Sequence, residues 1–160
     1  MDSIDMIIRL LEPEKRPSQD EYFLAMAKLV ATRGTCARRK VGCVFVNLQN
    51  HVVATGYNGV AAGLPHCIDN PCPGSGLPSG QGLQLCEALH AEENALIQLR
   101  DAGALHTVYC TASPCINCTR KLLNTSCKRI VFIEEYPHPQ AKELWVSMGR
   151  IWDQGEPYGY

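Results

Sequence analysis

The sequence is short of several things, and each shortage removes a class of function. Aromatic residues make up 7% of the 160, too few for a protein that stacks bases along a single strand. Lysine and arginine number 15 against 16 aspartates and glutamates, a formal net charge of −1. A binder of a polynucleotide backbone needs an excess of cations, because each phosphate contact takes one, so no nucleic-acid polymer is expected as a partner. No apolar run approaches the roughly 18 residues that span a bilayer, so no membrane partner is expected. The opening Met1-Asp2-Ser3-Ile4-Asp5 lacks the basic start of a secretory signal and is too acidic for a transit peptide. A cytoplasmic location follows as the expectation, or the host cytoplasm if the source is viral. With 46% apolar and 19% charged residues, a packed core is expected, and the length suits one domain spanning 1–160.

Cysteine is what the chain has in plenty: nine, at positions 36, 43, 67, 72, 86, 110, 115, 118 and 127. In a reducing compartment these are not a disulfide framework, and an odd number leaves one unpaired. Some are expected as apolar filler, since free cysteine is among the most buried residue types. The others are candidate metal ligands.

Ile4, Ile7, Ile8 and Leu11 form a helical stripe, an amphipathic extension over 1–16 that Pro13 and Pro17 break. Packing on its own domain or on a neighbouring subunit suits it better than a membrane, because Arg9 is the one basic residue before the break. Ser18-Gln19-Asp20-Glu21 reads as a capping box, and the helix after it is expected to bury Tyr22, Ala25, Met26 and Leu29. Strands are expected over 41–46 and 51–57, joined as a hairpin. Between Gly63 and Gly82 lie five glycines and four prolines, so 63–86 is a Gly/Pro/Cys-rich loop insertion. Beyond it come a helix over 90–102, a strand over 107–111 and a helix over 115–124. A strand over 129–133 and a helix over 140–148 follow. Alternating strands and helices indicate an α/β layered domain.

Two segments carry the chemistry: His90-Ala91-Glu92 at one helix start, and Pro114-Cys115-Ile116-Asn117-Cys118 at another. Two thiolates of a Cys-x-x-Cys at a helix start can hold one metal, favoured by the helix dipole. With the His90 imidazole they give three ligands, and an open fourth position marks a catalytic zinc site. Glu92, two residues past the ligand, can serve as a proton shuttle without occupying the metal. A Cys-x-x-Cys alone would fit a redox dithiol equally, and His90 and Glu92 alone could be helix-surface residues.

In combination these segments resemble the zinc-dependent nucleobase deaminases. Val41-Gly42-Cys43-Val44-Phe45-Val46, Gly56-Tyr57-Asn58-Gly59, Thr111-Ala112-Ser113-Pro114-Cys115 and Arg33-Gly34-Thr35-Cys36 narrow the likeness. Over roughly residues 20–135 the chain is similar to the deoxycytidylate (dCMP) deaminases. The resemblance implies a three-layer α/β/α fold with a mixed sheet of about five strands. It implies conversion of dCMP to dUMP and ammonia, supplying dUMP for dTTP synthesis. His90, Cys115 and Cys118 would hold zinc and Glu92 would act as general acid and base. Asn58 would contact the sugar, Val41 would line the pyrimidine pocket, and Ala91 and Ser113 would touch the base. Asn58 also reads as a turn residue, since Asn-Gly is a favoured turn pair.

For the phosphate, Arg33, Arg38, Arg39 and Lys40 cluster within eight positions, and a solvated charged face is the alternative. Family members carry basic residues at the places of Arg33 and Arg38, with Tyr136 as a further candidate. Cys36, Cys67, Cys72 and Cys86 would form a second, structural zinc site, His66 being able to replace one of them. Cys43, Cys110 and Cys127 read as core. The resemblance further implies a homo-hexamer activated by dCTP and inhibited by dTTP, with magnesium accompanying the regulatory nucleotide. Gly56, Tyr57, Asn58 and Gly59 are implicated in that regulation. Alternatives are deamination of another small base or nucleoside (cytidine, guanine), a polynucleotide-editing enzyme, and a catalytically silent zinc module, which would have no need of Glu92.

Overall fold

A computed structural model of the chain describes residues 3–11, 16–78 and 81–159. The helix break expected at 12–15 and loop residues 79–80 lie outside the described residues. The elements run α1 (Ser3–Leu11), α2 (Gln19–Ala31), β1 (Gly42–Asn47), β2 (Val52–Tyr57), α3 (Ala91–Gln98), β3 (Leu105–Ala112), α4 (Ile116–Leu123), β4 (Arg129–Glu134), α5 (Gln140–Ser147) and β5 (Ile151–Gln154). A short 3-10 turn, Leu83–Leu85, closes the long loop before α3. The five strands form one sheet in the order β2-β1-β3-β4-β5. β1 runs antiparallel to both β2 and β3, whereas β3, β4 and β5 are parallel.

The period-two alternation of the strands divides the core between two faces. Val44, Val46, Tyr109 and Val131 point to one side and meet Phe23, Leu24 and Ala27 of α2. Cys43, Phe45, Val108, Cys110, Ile130 and Phe132 point to the other and meet Ala91 and Ala95 of α3, Leu122 of α4 and Trp145 of α5. The result is the expected three-layer α/β/α arrangement with a mixed five-stranded sheet. Cys43, Cys110 and Cys127 are fully buried in the second cluster.

The sequence pattern and the structure differ in three places. Ser18 does cap α2, its Oγ accepting from the Glu21 N–H at 3.1 Å while Glu21 Oε1 accepts from the Ser18 N–H at 3.1 Å. The buried face, however, is Phe23, Leu24, Ala27 and Ala31, and Tyr22 and Leu29 are exposed. Small residues decide the orientation: a Cβ on Gly42 would sit 2.3 Å from the Ala27 carbonyl, so the helix backbone lies directly against β1. The α3 helix ends at Gln98, four residues before the expected Ala102. The edge strand β5 was absent from the pattern altogether; it is four residues long and half exposed, too short to show alternation. On α1, Ile4, Ile7, Ile8 and Leu11 are exposed. Among the described residues no helix is long and apolar enough to cross a membrane.

Candidate metal centre and active site

Both motif helices begin beside the carboxyl end of β3, where the sheet changes from parallel to antiparallel. Crevices at such switch points are where open α/β sheets bind ligands. His90 is the N-cap of α3 and Cys115 the N-cap of α4, both with extended backbone (ψ 156° and 169°). That conformation projects each side chain ahead of its helix. His90 Nδ1 lies 3.5 Å from Cys115 Sγ and 3.4 Å from Cys118 Sγ. All three donor atoms fall within 4.8 Å of one another.

The donor chemistry fits zinc. The Cys118 thiol and the His90 imidazole both hydrogen-bond to Cys115, which is pulled down to about 4, and His90 is raised to about 9 chiefly by the same sulfur. Cys118 moves in the opposite direction from Cys115, because the pair shares one proton. A thiolate thus faces an imidazolium where a dication could replace the protons, and one histidine with two cysteines is a known catalytic zinc ligand set.

Glu92 stands in the first turn of α3 and is 4% exposed. Burial raises its carboxyl above the usual carboxylate range, while the charge on His90 and a hydrogen bond with the Cys110 thiol pull it back. It lines an open cavity together with Val41, Asn58, Ala91, Ser113 and Tyr136. Arg38 and Arg39 line the same cavity. Asn58 is buried, its Nδ2 donating to the Arg39 carbonyl at 2.6 Å and its Oδ1 accepting from the Val41 N–H at 2.8 Å. It therefore pins the strand entry 39–41 to the end of β2 and still has one N–H and one lone pair. Ser113 is also buried, and its Oγ accepts from the Tyr136 N–H at 2.6 Å.

The arginines divide three ways. Arg38 Nη1 donates to the carbonyls of Gln81 at 2.6 Å and Pro78 at 3.0 Å, with Leu77 at 3.4 Å, and so fastens the long loop to the site. Arg39 pairs with the exposed carboxylate of Glu134. Arg33 does not line the catalytic cavity; it lines a second, larger one, with Lys40, His66 and three of the Gly-Tyr-Asn-Gly residues, Gly56, Tyr57 and Gly59. Gly56 and Gly59 have packing reasons of their own. A Cβ on Gly56 would lie 2.1 Å from the Ala91 carbonyl, and Gly59 exchanges backbone hydrogen bonds of 3.1 and 2.8 Å with Leu89. The Tyr57 carbonyl accepts from Asn94 Nδ2 at 2.8 Å.

The four cysteines outside the catalytic group and the core are less gathered. Cys67 Sγ and Cys72 Sγ lie 3.6 Å apart, and the Cys72 thiol is lowered, first by the Glu87 backbone and also by Cys67 and Cys86. Among the described residues, His90, Cys115 and Cys118 form the group of three whose donors all lie within 4.8 Å, so Cys36, Cys67, Cys72 and Cys86 are not drawn together to that degree. No sequence signal singles out Glu93 or Lys121, and Cys110 reads as core, where the structure buries it. Glu93 could have been flagged as the third residue of a capped helix, but histidine is not a preferred N-cap and gave no cue. Cys110 carries no sequence signal separating it from core filler.

Comparison with known proteins follows the same lines. The family model for the cytidine and deoxycytidylate deaminase zinc-binding region matches residues 17–134. A deoxycytidylate deaminase of Saccharomyces cerevisiae is 41% identical over 128 residues, 79% of this chain and 41% of that protein. The chain spans about two fifths of the length of that relative and of its Schizosaccharomyces pombe counterpart. The deoxycytidylate deaminase of Mycobacterium phage D29 is 39% identical over 126 residues, 75% of this chain and 98% of that protein. The dCMP deaminase of cyanophage S-TIM5, solved in complex with dCMP and dUMP, shares the fold with a TM-score of 0.70 at 22% identity, over 89% of this chain and all of that one. The chain belongs to the cytidine and deoxycytidylate deaminase family.

Proposed function

We propose that the chain hydrolyses dCMP to dUMP and ammonia. The observation that carries this reading is the convergence of His90, Cys115 and Cys118 beside buried Glu92, in a cavity that two arginines line. Deoxycytidylate deaminases among its relatives, at 39–42% identity, support the choice of substrate. Zinc bound by the three ligands supplies the Lewis acidity that makes water nucleophilic at neutral pH. As the C4–O bond forms and the C4–N bond breaks, Glu92 takes the two protons of the attacking water in turn, giving one to N3 of the cytosine ring and the other to the departing amine. Burial raises its carboxyl pKa and so favours the protonated form that donates to the ring. Val41 packs on the pyrimidine, the backbone at Ala91 and Ser113 contacts the base, and Asn58 uses its remaining hydrogen-bonding capacity on the sugar. Arg38, Arg39 and Tyr136 face the phosphate.

The second cavity suits a regulatory nucleotide. Arg33, Lys40 and His66 line it, and among the described residues no carboxylate does. We assign dCTP activation and dTTP inhibition, each with magnesium, to this cavity, with Gly56, Tyr57 and Gly59 on its wall and Asn58 joining it to the substrate. Asn94 of α3 also lines it, so an effector there bears on the helix that carries Glu92. Cys67, Cys72 and Cys86, with Cys36, would close on a structural zinc that orders a loop lacking a core of its own. Exposed apolar residues on α1 and α2, Leu11 and Leu29 among them, are consistent with assembly into a hexamer.

The test is the initial rate of ammonia release from dCMP and from deoxycytidine, each with and without dCTP and magnesium. Preference for dCMP, raised by dCTP and abolished in Glu92→Gln with zinc retained, is the expected outcome. Equal rates on both substrates would remove the phosphate from the reading, and turnover by Glu92→Gln would overturn the proton-shuttle assignment.

A further inference from the structure

We infer that Glu93 and Lys121 form a positioning strut that holds the two ligand-bearing helix starts in register for metal binding. The inference rests on the zinc site proposed above. The need for a strut comes from the packing: α3 lies over β2 and β1 and α4 lies beside α5, both on the same face of the sheet. The two helices rest on different parts of that face, and their ligand atoms must nevertheless converge on one point.

Glu93 joins the two supports through both carboxylate oxygens. Oε1 accepts from the His90 N–H at 3.0 Å, fixing the backbone of the ligand itself and satisfying an end donor of α3. Oε2 accepts from the Lys121 ammonium, and Lys121 stands one turn beyond Cys118 on α4. One carboxylate thereby couples the His90 main chain to the helix of the cysteine ligands. The Glu93 side chain is 24% exposed and that of Lys121 49%. Such a pair adds little to folding, since ion pairs at this exposure are weak. Its effect falls on geometry, because partners lying behind metal ligands set ligand orientation, and their loss typically lowers metal affinity by about 10- to 100-fold.

The test is a double-mutant cycle read by competition for zinc against a chelator of known affinity, with the melting temperature of the zinc-free protein measured alongside. Glu93→Gln keeps an oxygen for the His90 N–H but loses the charge; Lys121→Met keeps the side-chain length and loses the cation. Each is expected to weaken zinc binding by about 10-fold, with little change in the zinc-free melting temperature. The double variant is expected to be no weaker than either single one, because both remove the same link. Lys121→Arg, which retains the cation, is expected to stay within about threefold of the unaltered protein. Unchanged zinc affinity in the single variants, or losses that add in the double variant, overturns the strut. Cys115→Ser serves as the control for the site. If it leaves zinc binding intact the ligand assignment itself is wrong, and if it abolishes binding while Glu93→Gln leaves zinc affinity unchanged, the strut alone is wrong.

Discussion

Gly56→Ala tests whether the active site is assembled by the close approach of α3 to β2. The added Cβ would lie 2.1 Å from the Ala91 carbonyl, 2.6 Å from the Ala95 N and 3.0 Å from the Ala95 Cβ. Two of these three neighbours are helix backbone, which no rotamer change can move aside. Relief therefore requires the Ala91 carbonyl and the new Cβ to part by more than 1 Å, from 2.1 Å to the 3.4 Å at which ordinary contact begins. Overpacking of this kind costs roughly 1–3 kcal/mol, and a backbone obstacle puts the expected value near the top of that range. The functional loss should exceed the loss of stability, because His90 and Glu92 both ride at the start of α3. A 1 Å misplacement of reacting groups lowers turnover on the order of 100-fold.

The assay is urea unfolding, zinc competition and ammonia release on the same preparation, with Gly76→Ala as the control. Gly76 has open space where a Cβ would stand, so all three readouts should stay near those of the unaltered protein. A Gly56→Ala protein that is as stable, binds zinc as tightly and turns over as fast in the absence of effector would refute the packing argument. If only the dCTP response were lost, Gly56 would belong to the regulatory cavity alone.

Three further outcomes follow from the same geometry. Arg39→Ala should raise KM for dCMP without altering the response to dCTP, and Arg33→Ala should do the reverse, because the two arginines line different cavities; steady-state kinetics at several dCTP concentrations separate them. Arg38→Ala should leave the loop at Leu77, Pro78 and Gln81 more open to limited proteolysis, since one guanidinium nitrogen holds the carbonyls of Pro78 and Gln81 at 3.0 and 2.6 Å. Unaltered cleavage there would mean the loop is held by something else. Asp20 receives two 2.7 Å hydrogen bonds from Arg129 and one of 2.8 Å from Tyr109, joining α2 to the sheet. The Arg129 hydrogen bond holds its carboxyl below the ordinary 3.8. The stabilisation is therefore complete above about pH 4 and lost as pH falls through the lower folded-state value. With the side chain 38% exposed and the ion pair discounted for solvent, Asp20→Asn should cost roughly 1–2 kcal/mol at pH 7 and flatten the acid limb of the melting profile. An unchanged acid limb would dismiss the network.

What could be read from the sequence was local or chemical. The hairpin declared itself through β-branched runs on either side of a turn, and the structure adds that Asn50 takes a positive φ of 63° there. The capping box at Ser18 was legible for the same reason: its signal lies within four residues. Which face of α2 is buried was not legible. The apparent stripe of Tyr22, Met26 and Leu29 is apolar enough, but a helix lying flat on a strand is oriented by where its backbone can approach, and Ala27, Ala31 and Gly42 determine that. The separate destinations of Arg33 and Arg39 were equally hidden. Their six-residue separation in sequence gives no hint that the end of α2 and the entry to β1 face different cavities.

The metal centre lay between these cases, and the reason is informative. Residue types and spacing singled out His90, Cys115 and Cys118, and the helical pattern starts at His90 and Cys115 although neither residue is a preferred N-cap. N-caps are normally Ser, Thr, Asp or Asn, whose oxygens satisfy the first N–H groups. Here those two positions are taken by the candidate metal donors, and the capping is weak or comes from inside the helix. Cys115 Sγ accepts from the Cys118 N–H at 3.5 Å, a long bond to a weak acceptor, and Glu93 reaches back to His90 from inside α3. A histidine or cysteine at an N-cap is a poorer cap but projects its donor atom beyond the helix end, toward the point on which both helices converge. Local stability is relaxed at the two positions where ligand placement requires it. The compensating residues, Glu93 above all, sit where a motif search for ligands does not look.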